Sequence, residues 1–178
     1  ARSGGVRTLS PRTSRSVAGR QAGTARGASG PPATALPGWR IFAMTAPAAE
    51  VQKAIYAALA GDAALVAKLG GARVYDHTPA DVPFPYITFG RTSVYDWSTG
   101  TESGTEQLLT LHVWSKGRGK AETHQIMDAI TARLHDAGLA LDGHHLANLR
   151  LEFSEILFDE DLTVHHGLLR FRAVTEPA

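Results

Sequence analysis

QLLTLHVWS (residues 107–115), KGRG (116–119) and KAETHQIMDAITARLHDA (120–137) follow one another directly, and their reading decides the fold. The first string alternates, placing Leu109, Leu111 and Val113 on one side of an extended chain. Lys116-Gly117-Arg118-Gly119 breaks that strand. In the third string Thr123, Ile126, Met127, Ile130, Leu134 and Ala137 recur at a 3.6-residue period until Gly138 ends it. A half-buried strand is therefore followed by an amphipathic helix.

Upstream, Tyr86 to Trp97 reads as a strand with a bulge or bend at Gly90, and the polar turn Ser98 to Gly104 joins it to the 107–115 strand as a long hairpin. Three prolines between Thr78 and Pro85 forbid regular pairing there, and Arg73-Val74-Tyr75 is a brief strand candidate. Two helices open the domain. Residues 48–60 place Val51, Ile55, Ala58 and Leu59 on one face, and Asp62 caps a shorter helix carrying Leu65, Val66 and Leu69 before Gly70-Gly71. Downstream of the long helix come Leu139 to Leu141 and a turn at Asp142-Gly143. Ala147, Leu149, Leu151 and Phe153 then alternate with Asn148, Arg150, Glu152 and Ser154 as a half-buried strand. The turn Asp159-Glu160-Asp161 leads to a last strand, Leu162 to Val174, pairing antiparallel with its predecessor. This order implies an α+β domain: an antiparallel sheet with a long helix packed on one face and an N-terminal helical pair. No βαβαβ succession and no fixed-period repeat occurs.

Charge divides the 178 residues at Met44, the first methionine. Ala1 to Ala43 carries seven arginines and no acid, for a charge of +7, which leaves eleven Lys and Arg against 17 acids, or −6, on residues 44–178. The basic segment is rich in Gly, Ser, Thr, Pro and Ala without hydrophobic periodicity, so it is expected to be disordered. It reads as a tail for an anionic partner, as an organelle targeting peptide, or as translation assigned from too far upstream. The third reading is preferred, because the amphipathic pattern starts just after Met44. Residues 44–178 then form the folded domain. Its acidic balance argues against nucleic-acid binding. With no cysteine, disulfides and thiolate metal sites are excluded, and no apolar run approaches the ~18 residues of a membrane span.

Eight histidines make metal or acid–base chemistry worth testing. His144-His145 and His165-His166 are adjacent, and neighbours in extended chain point to opposite faces, so neither pair can grip one ion. His124 and His135 lie eleven residues apart on the long helix, ~16 Å from each other. A mixed site of His166 with Asp159 or Asp161 is weaker than a reading as surface histidines. Gly117-Arg118-Gly119-Lys120 precedes Ala121 rather than Ser or Thr, so it is a flexible turn and not a phosphate loop. Asp159-Glu160-Asp161 lacks the spaced partners of a calcium loop. No nucleophile elbow or zinc-protease helix is present. No catalytic, cofactor or metal residue is assigned, and the domain is read as non-enzymatic. Trp114 reads as core. Trp97, with Tyr95 nearby, sits beside a polar loop and is either core or a protein-contact anchor.

Four strings in order, Val74-Tyr-Asp76, Pro83-Phe-Pro-Tyr-Ile-Thr-Phe-Gly90, Leu109-Thr-Leu-His-Val-Trp-Ser115 and His166-Gly-Leu-Leu-Arg-Phe-Arg172, resemble the tail-completion or tail-terminator proteins of long-tailed phages, prophages and gene transfer agents. The likeness spans nearly all of Met44 to Glu176 and does not enter residues 1–43. It implies a subunit of a ring, a hexamer in the family, that ends tail-tube polymerisation and joins the tube to a head-side adaptor. The implied partners are copies of itself, the tail tube protein and the adaptor or stopper. DNA would pass through without specific binding, and no membrane or cofactor is involved. The implied location is the tail of a phage-like particle assembled in the bacterial cytoplasm. Under that reading Tyr95, Trp97, Ser98, Thr99, Glu102, Asp159, Glu160 and Asp161 are expected near contacts with neighbours or the tube. The alternatives are a small binding or adaptor domain of the same topology and, third, a metal-dependent enzyme using histidines and acids.

Overall fold

Pro47 opens the first helix, where its missing N–H would have had no partner, and helix α1 runs Pro47–Ala60 in the computed structural model, which describes residues 46–178. Val51, Ile55, Ala58 and Leu59 are its buried face. Asp62 then caps α2 (Ala63–Leu69) by accepting the Leu65 N–H at 2.9 Å, and Gly70 ends it at φ 70°, a conformation glycine adopts without strain. The anticipated helical pair is therefore present. The reading of residues 1–43 as disordered lies outside the described residues.

The sheet contains β1 (Val74–Tyr75), β2 (Tyr86–Asp96), β3 (Thr105–Ser115), β4 (His144–Asp159) and β5 (Val164–Pro177), in the order β1-β2-β3-β5-β4. It is mixed rather than wholly antiparallel, because Val74 and Tyr75 pair parallel with Ile87 and Thr88. The proline-rich connection brings the chain back alongside itself in the same direction. Arg73 fixes the return by donating to the Phe84 carbonyl at 3.1 Å, while its own carbonyl accepts the Ile87 N–H at 2.9 Å. The register of β2 on β3 shifts between Phe89 and Thr92, at the anticipated Gly90 bulge.

Helix α3 (Ala121–Leu134) buries Thr123, Ile126, Met127, Ile130 and Leu134. It ends before the sequence period does, because the edge strand captures the next two residues. His135 turns extended and accepts the Leu151 N–H on Nδ1 at 3.1 Å, and the Asp136 N–H donates to the Leu149 carbonyl at 2.8 Å. His135 is thus off the helix expected to hold it, and these bonds also cover part of the β4 edge.

All three helices lie on one face of the sheet. Leu109, Leu111 and Val113 of β3, Leu169, Phe171 and Ala173 of β5, and Leu149 of β4 form one core with Ile55, Leu59, Leu65, Ile126 and Ile130. Gly167 lets α3 approach this closely, since a Cβ there would stand 2.9 Å from Thr123 Cγ2 and 2.6 Å from Met127 Sδ. Two register shifts in β4, at Leu146/Asn148 and Leu151/Phe153, correct the simple alternation expected there. Ala147 is left exposed, and Phe153 moves to the uncovered face opposite Arg170.

Candidate interface surfaces

Among the described residues, no element covers the other face of β2, β3, β5 and β4. Strand pairing places on it Tyr86, Thr88, His112 and Trp114 toward one end and Ser93, Tyr95, Glu106 and Arg172 toward the other. The two hairpin turns lie beyond opposite ends of this face. The β3–β5 ladder runs from Thr105↔Thr175 to Ser115↔His165, and ten steps at about 3.3 Å separate the turns by roughly 33 Å.

At the first end the turn after β2 is closed by its own bonds. The Trp97 N–H donates to the Gly104 carbonyl at 2.9 Å and the Thr99 N–H to the Glu102 carbonyl at 2.8 Å, while Ser98 Oγ accepts the Gly104 N–H at 3.2 Å. Hydrogen bonds from the Ser98 side chain and backbone hold the Asp96 carboxyl below its ordinary pKa. Trp97 is 51% exposed and lies over the Arg172 guanidinium, 5.0 Å from ring centre to Cζ. Arg172 is ion-paired with Glu106 and lies 3.9 Å from Glu152, which orients the indole from below. Val94 and Tyr95 are also half exposed, and behind them a groove of about 400 Å³ runs past Pro47, His144, Thr175 and Pro177.

At the second end Asp159 Oδ1 accepts the Leu162 N–H at 2.9 Å, tying a tight turn in which Thr163 has φ 53°. Glu160, Asp161 and Leu162 are exposed there, flanked by exposed Leu157 and Phe158. The structure therefore gathers Tyr95, Trp97, Ser98, Thr99 and Glu102 into one patch and Asp159, Glu160 and Asp161 into another, and keeps the two apart.

Trp114 is not in the core, as the sequence had implied, but half-buried on the uncovered face. Its Nε1 donates to Thr88 Oγ1 at 3.0 Å, and its ring stacks on His166 at 4.1 Å and 4°. His166 Nε2 in turn meets His112 Nδ1 at 2.8 Å, so one ring carries the proton between them. Burial lowers the pKa of both imidazoles. The neighbouring His166 reinforces this at His112, while Asp159 and Glu155 oppose it at His166. Gly90 makes room for the pair, since a Cβ there would stand 2.2 Å from His112 Nε2. This pair escaped sequence reasoning because its members are 54 residues apart and meet only through strand register. The one available signal was that His112 and Trp114 share a strand face, two residues apart. Two histidines bonded to each other can pass a proton between their rings. Among the described residues, no three or more His, Asp or Glu side chains gather around a space fit for a metal ion.

The family model described as Tail completion protein gp17 matches residues 53–176. The tail completion protein gp17 of Bacillus phage SPP1 is 26% identical over 92 residues, covering 52% of this chain and 68% of that protein. Among solved structures, a chain in the virion of a native gene transfer agent particle superposes with a TM-score of 0.67 at 29% identity, over 72% of this chain and 96% of that one. The structure of SPP1 gp17 superposes with a TM-score of 0.51 at 22% identity, over 74% of this chain and 92% of that one, a likeness of fold.

Proposed function

The chain belongs to the tail completion protein gp17 family, and from that premise we propose that it is a structural, non-enzymatic component of the tail of a phage-like particle. In finer detail, it is a subunit of a ring, a hexamer, that sits on the end of the tail tube, stops its growth and joins it to the head-side adaptor. The observation that carries this reading is the family match across nearly the whole folded domain. The architecture supports it physically. A ring subunit meets its neighbours through two different surfaces, and rotation closes the contact without leaving an edge for unlimited growth. This domain carries two separated hairpin ends and one uncovered sheet face, enough surface for two neighbours, a tube below and an adaptor above.

Trp97 with Tyr95, Ser98, Thr99 and Glu102 is proposed to lie near one set of contacts, and Asp159 to Asp161 near another. An exposed aromatic ring held by a paired arginine has little ordering left to lose on binding. The net negative charge of residues 44–178 suits a lumen through which DNA slides, because like charge suppresses adhesion to phosphates. Those residues are proposed as the functional domain, assembled in the bacterial cytoplasm. Averaged images of tails viewed down their axis, with the chain carrying a dense label, test the reading. A labelled sixfold ring at the head-proximal end is expected. Label distributed along the tube, or at its distal tip, would contradict it.

A further inference from the structure

The uncovered face has a cationic centre. Arg91 of the β2 bulge and Arg170 of β5 are both exposed and line a depression of about 190 Å³ with Ser93, Tyr95, Leu108 and Thr110. Neither arginine has an ion-pair partner among the described residues, whereas neighbouring Arg172 is satisfied by Glu106. Phe153 lies beside them, its ring 5.7 Å from the Arg170 guanidinium. The depression thus offers two unspent positive charges on a partly apolar floor.

The complement stands elsewhere on the same chain. At the β4–β5 turn Glu160 and Asp161 project without an ion-pair partner among the described residues, beside Leu162, which is 58% exposed, and Leu157 and Phe158. The turn cannot serve its own depression. Its nearest residue, Thr163, lies seven residues from Arg170 along β5, roughly 23 Å at about 3.3 Å per residue, on a strand whose register with β3 is continuous. From the ring reading, on which this inference rests, we propose that the acidic, leucine-tipped β4–β5 turn of one copy docks onto the Arg91–Arg170 depression of the next.

The match is one of sign and of polarity. Two acids meet two arginines, and Leu162 and Phe158 meet Leu108, Tyr95 and Phe153. Because the two surfaces differ and do not overlap, the contact is heterologous and propagates from copy to copy until rotation closes it. Glu155, also on the open face opposite Leu168, lies between the depression and the turn. It repels a neighbour's acids that settle short of the arginines, which favours one register.

A charge-exchange experiment tests this in cells that produce particles. The first variant carries Arg91→Glu and Arg170→Glu, and the second carries Glu160→Lys and Asp161→Lys. All four positions are exposed, and each variant's unfolding midpoint is checked against the unaltered chain. Alone, each variant sets like charges against each other at every subunit contact, and the yield of particles with finished tails should fall at least 100-fold. Supplied together, the lysine turn of one meets the glutamate depression of the other and the unaltered pair meets in between. The mixture should therefore recover to within about 10-fold of normal, as should a chain carrying all four changes. Normal yield from either variant alone, or no recovery from the mixture and the fourfold chain, overturns the contact. If the unaltered chain forms rings while the mixture fails, the ring reading stands and only this contact falls. If the unaltered chain forms no ring at all, both fall.

Discussion

Replacing Trp97 with Ala separates assembly from folding. Trp97 is 51% exposed, and its indole lies over the Arg172 guanidinium and beside Gly104, so truncation removes a cation–π contact and the packing of the covered half from the isolated domain. Such a contact contributes ~0.5–1 kcal/mol at exposed sites. The surrounding turn is held by the Trp97 and Thr99 backbone bonds, which do not need the ring. With the covered half of the ring added, a loss of stability of about 1–3 kcal/mol is expected. Assembly has more at stake. Half of an aromatic side chain leaves roughly 100 Å² for a partner to cover, which at ~25 cal/mol per Å² is about 2.5 kcal/mol per contact. That converts to a roughly 50- to 100-fold weaker association. Urea unfolding gives the first quantity, and the concentration dependence of ring formation on isolated tubes gives the second. Trp97→Ala protein that assembles at the normal concentration refutes the placement of this patch at a contact. A stability loss above ~3 kcal/mol refutes its independence from the fold.

Gly90→Ala places a methyl group against His112 Nε2, whose ring cannot retreat while bonded to His166, and should cost ~1–3 kcal/mol in urea unfolding with the near-ultraviolet signal of Trp114 altered. The His112–His166 pair also sets a pH dependence. Both folded pKa values lie below the ordinary ~6.5, so below that pH the unfolded chain binds more protons, and stability is full above it and declines as pH falls toward the folded values. Urea titrations from pH 7 to 5 should record this decline, and His166→Gln should flatten it. Leu111→Ala, at a fully buried position on a central strand, should cost about 2–5 kcal/mol by the same assay.

Most of the fold was legible because its elements announce their own periods. The apolar stripes of α1 and α3, the Asp62 cap and the alternation Leu109-Leu111-Val113 all sit where local chemistry puts them. What escaped depends on contacts between distant residues. A two-residue strand has no period to read, so the parallel pairing of Val74 and Tyr75 was invisible. The helix stripe continues to Ala137, yet hydrogen bonds from β4 draw His135 and Asp136 out of the helix. Two bulges in β4 turned Phe153 to the open face against its apparent alternation. Trp114 reads as core from the sequence. Its strand parity puts it on the face opposite Val113, where the indole N–H finds Thr88. As candidate contact residues the sequence offered two polar turns and, beside one of them, the aromatics Tyr95 and Trp97. That the turns occupy opposite ends of the sheet, and that Arg91 and Arg170 converge between them, follows only from register.

The proposed role of this chain is to cap a tube. Particles produced without it, with tail lengths measured by electron microscopy, decide whether it plays that role. Tubes that overrun their normal length and lie unattached to heads are predicted, with both defects corrected when the chain is resupplied. Tails of uniform normal length joined to filled heads in its absence would refute the capping role.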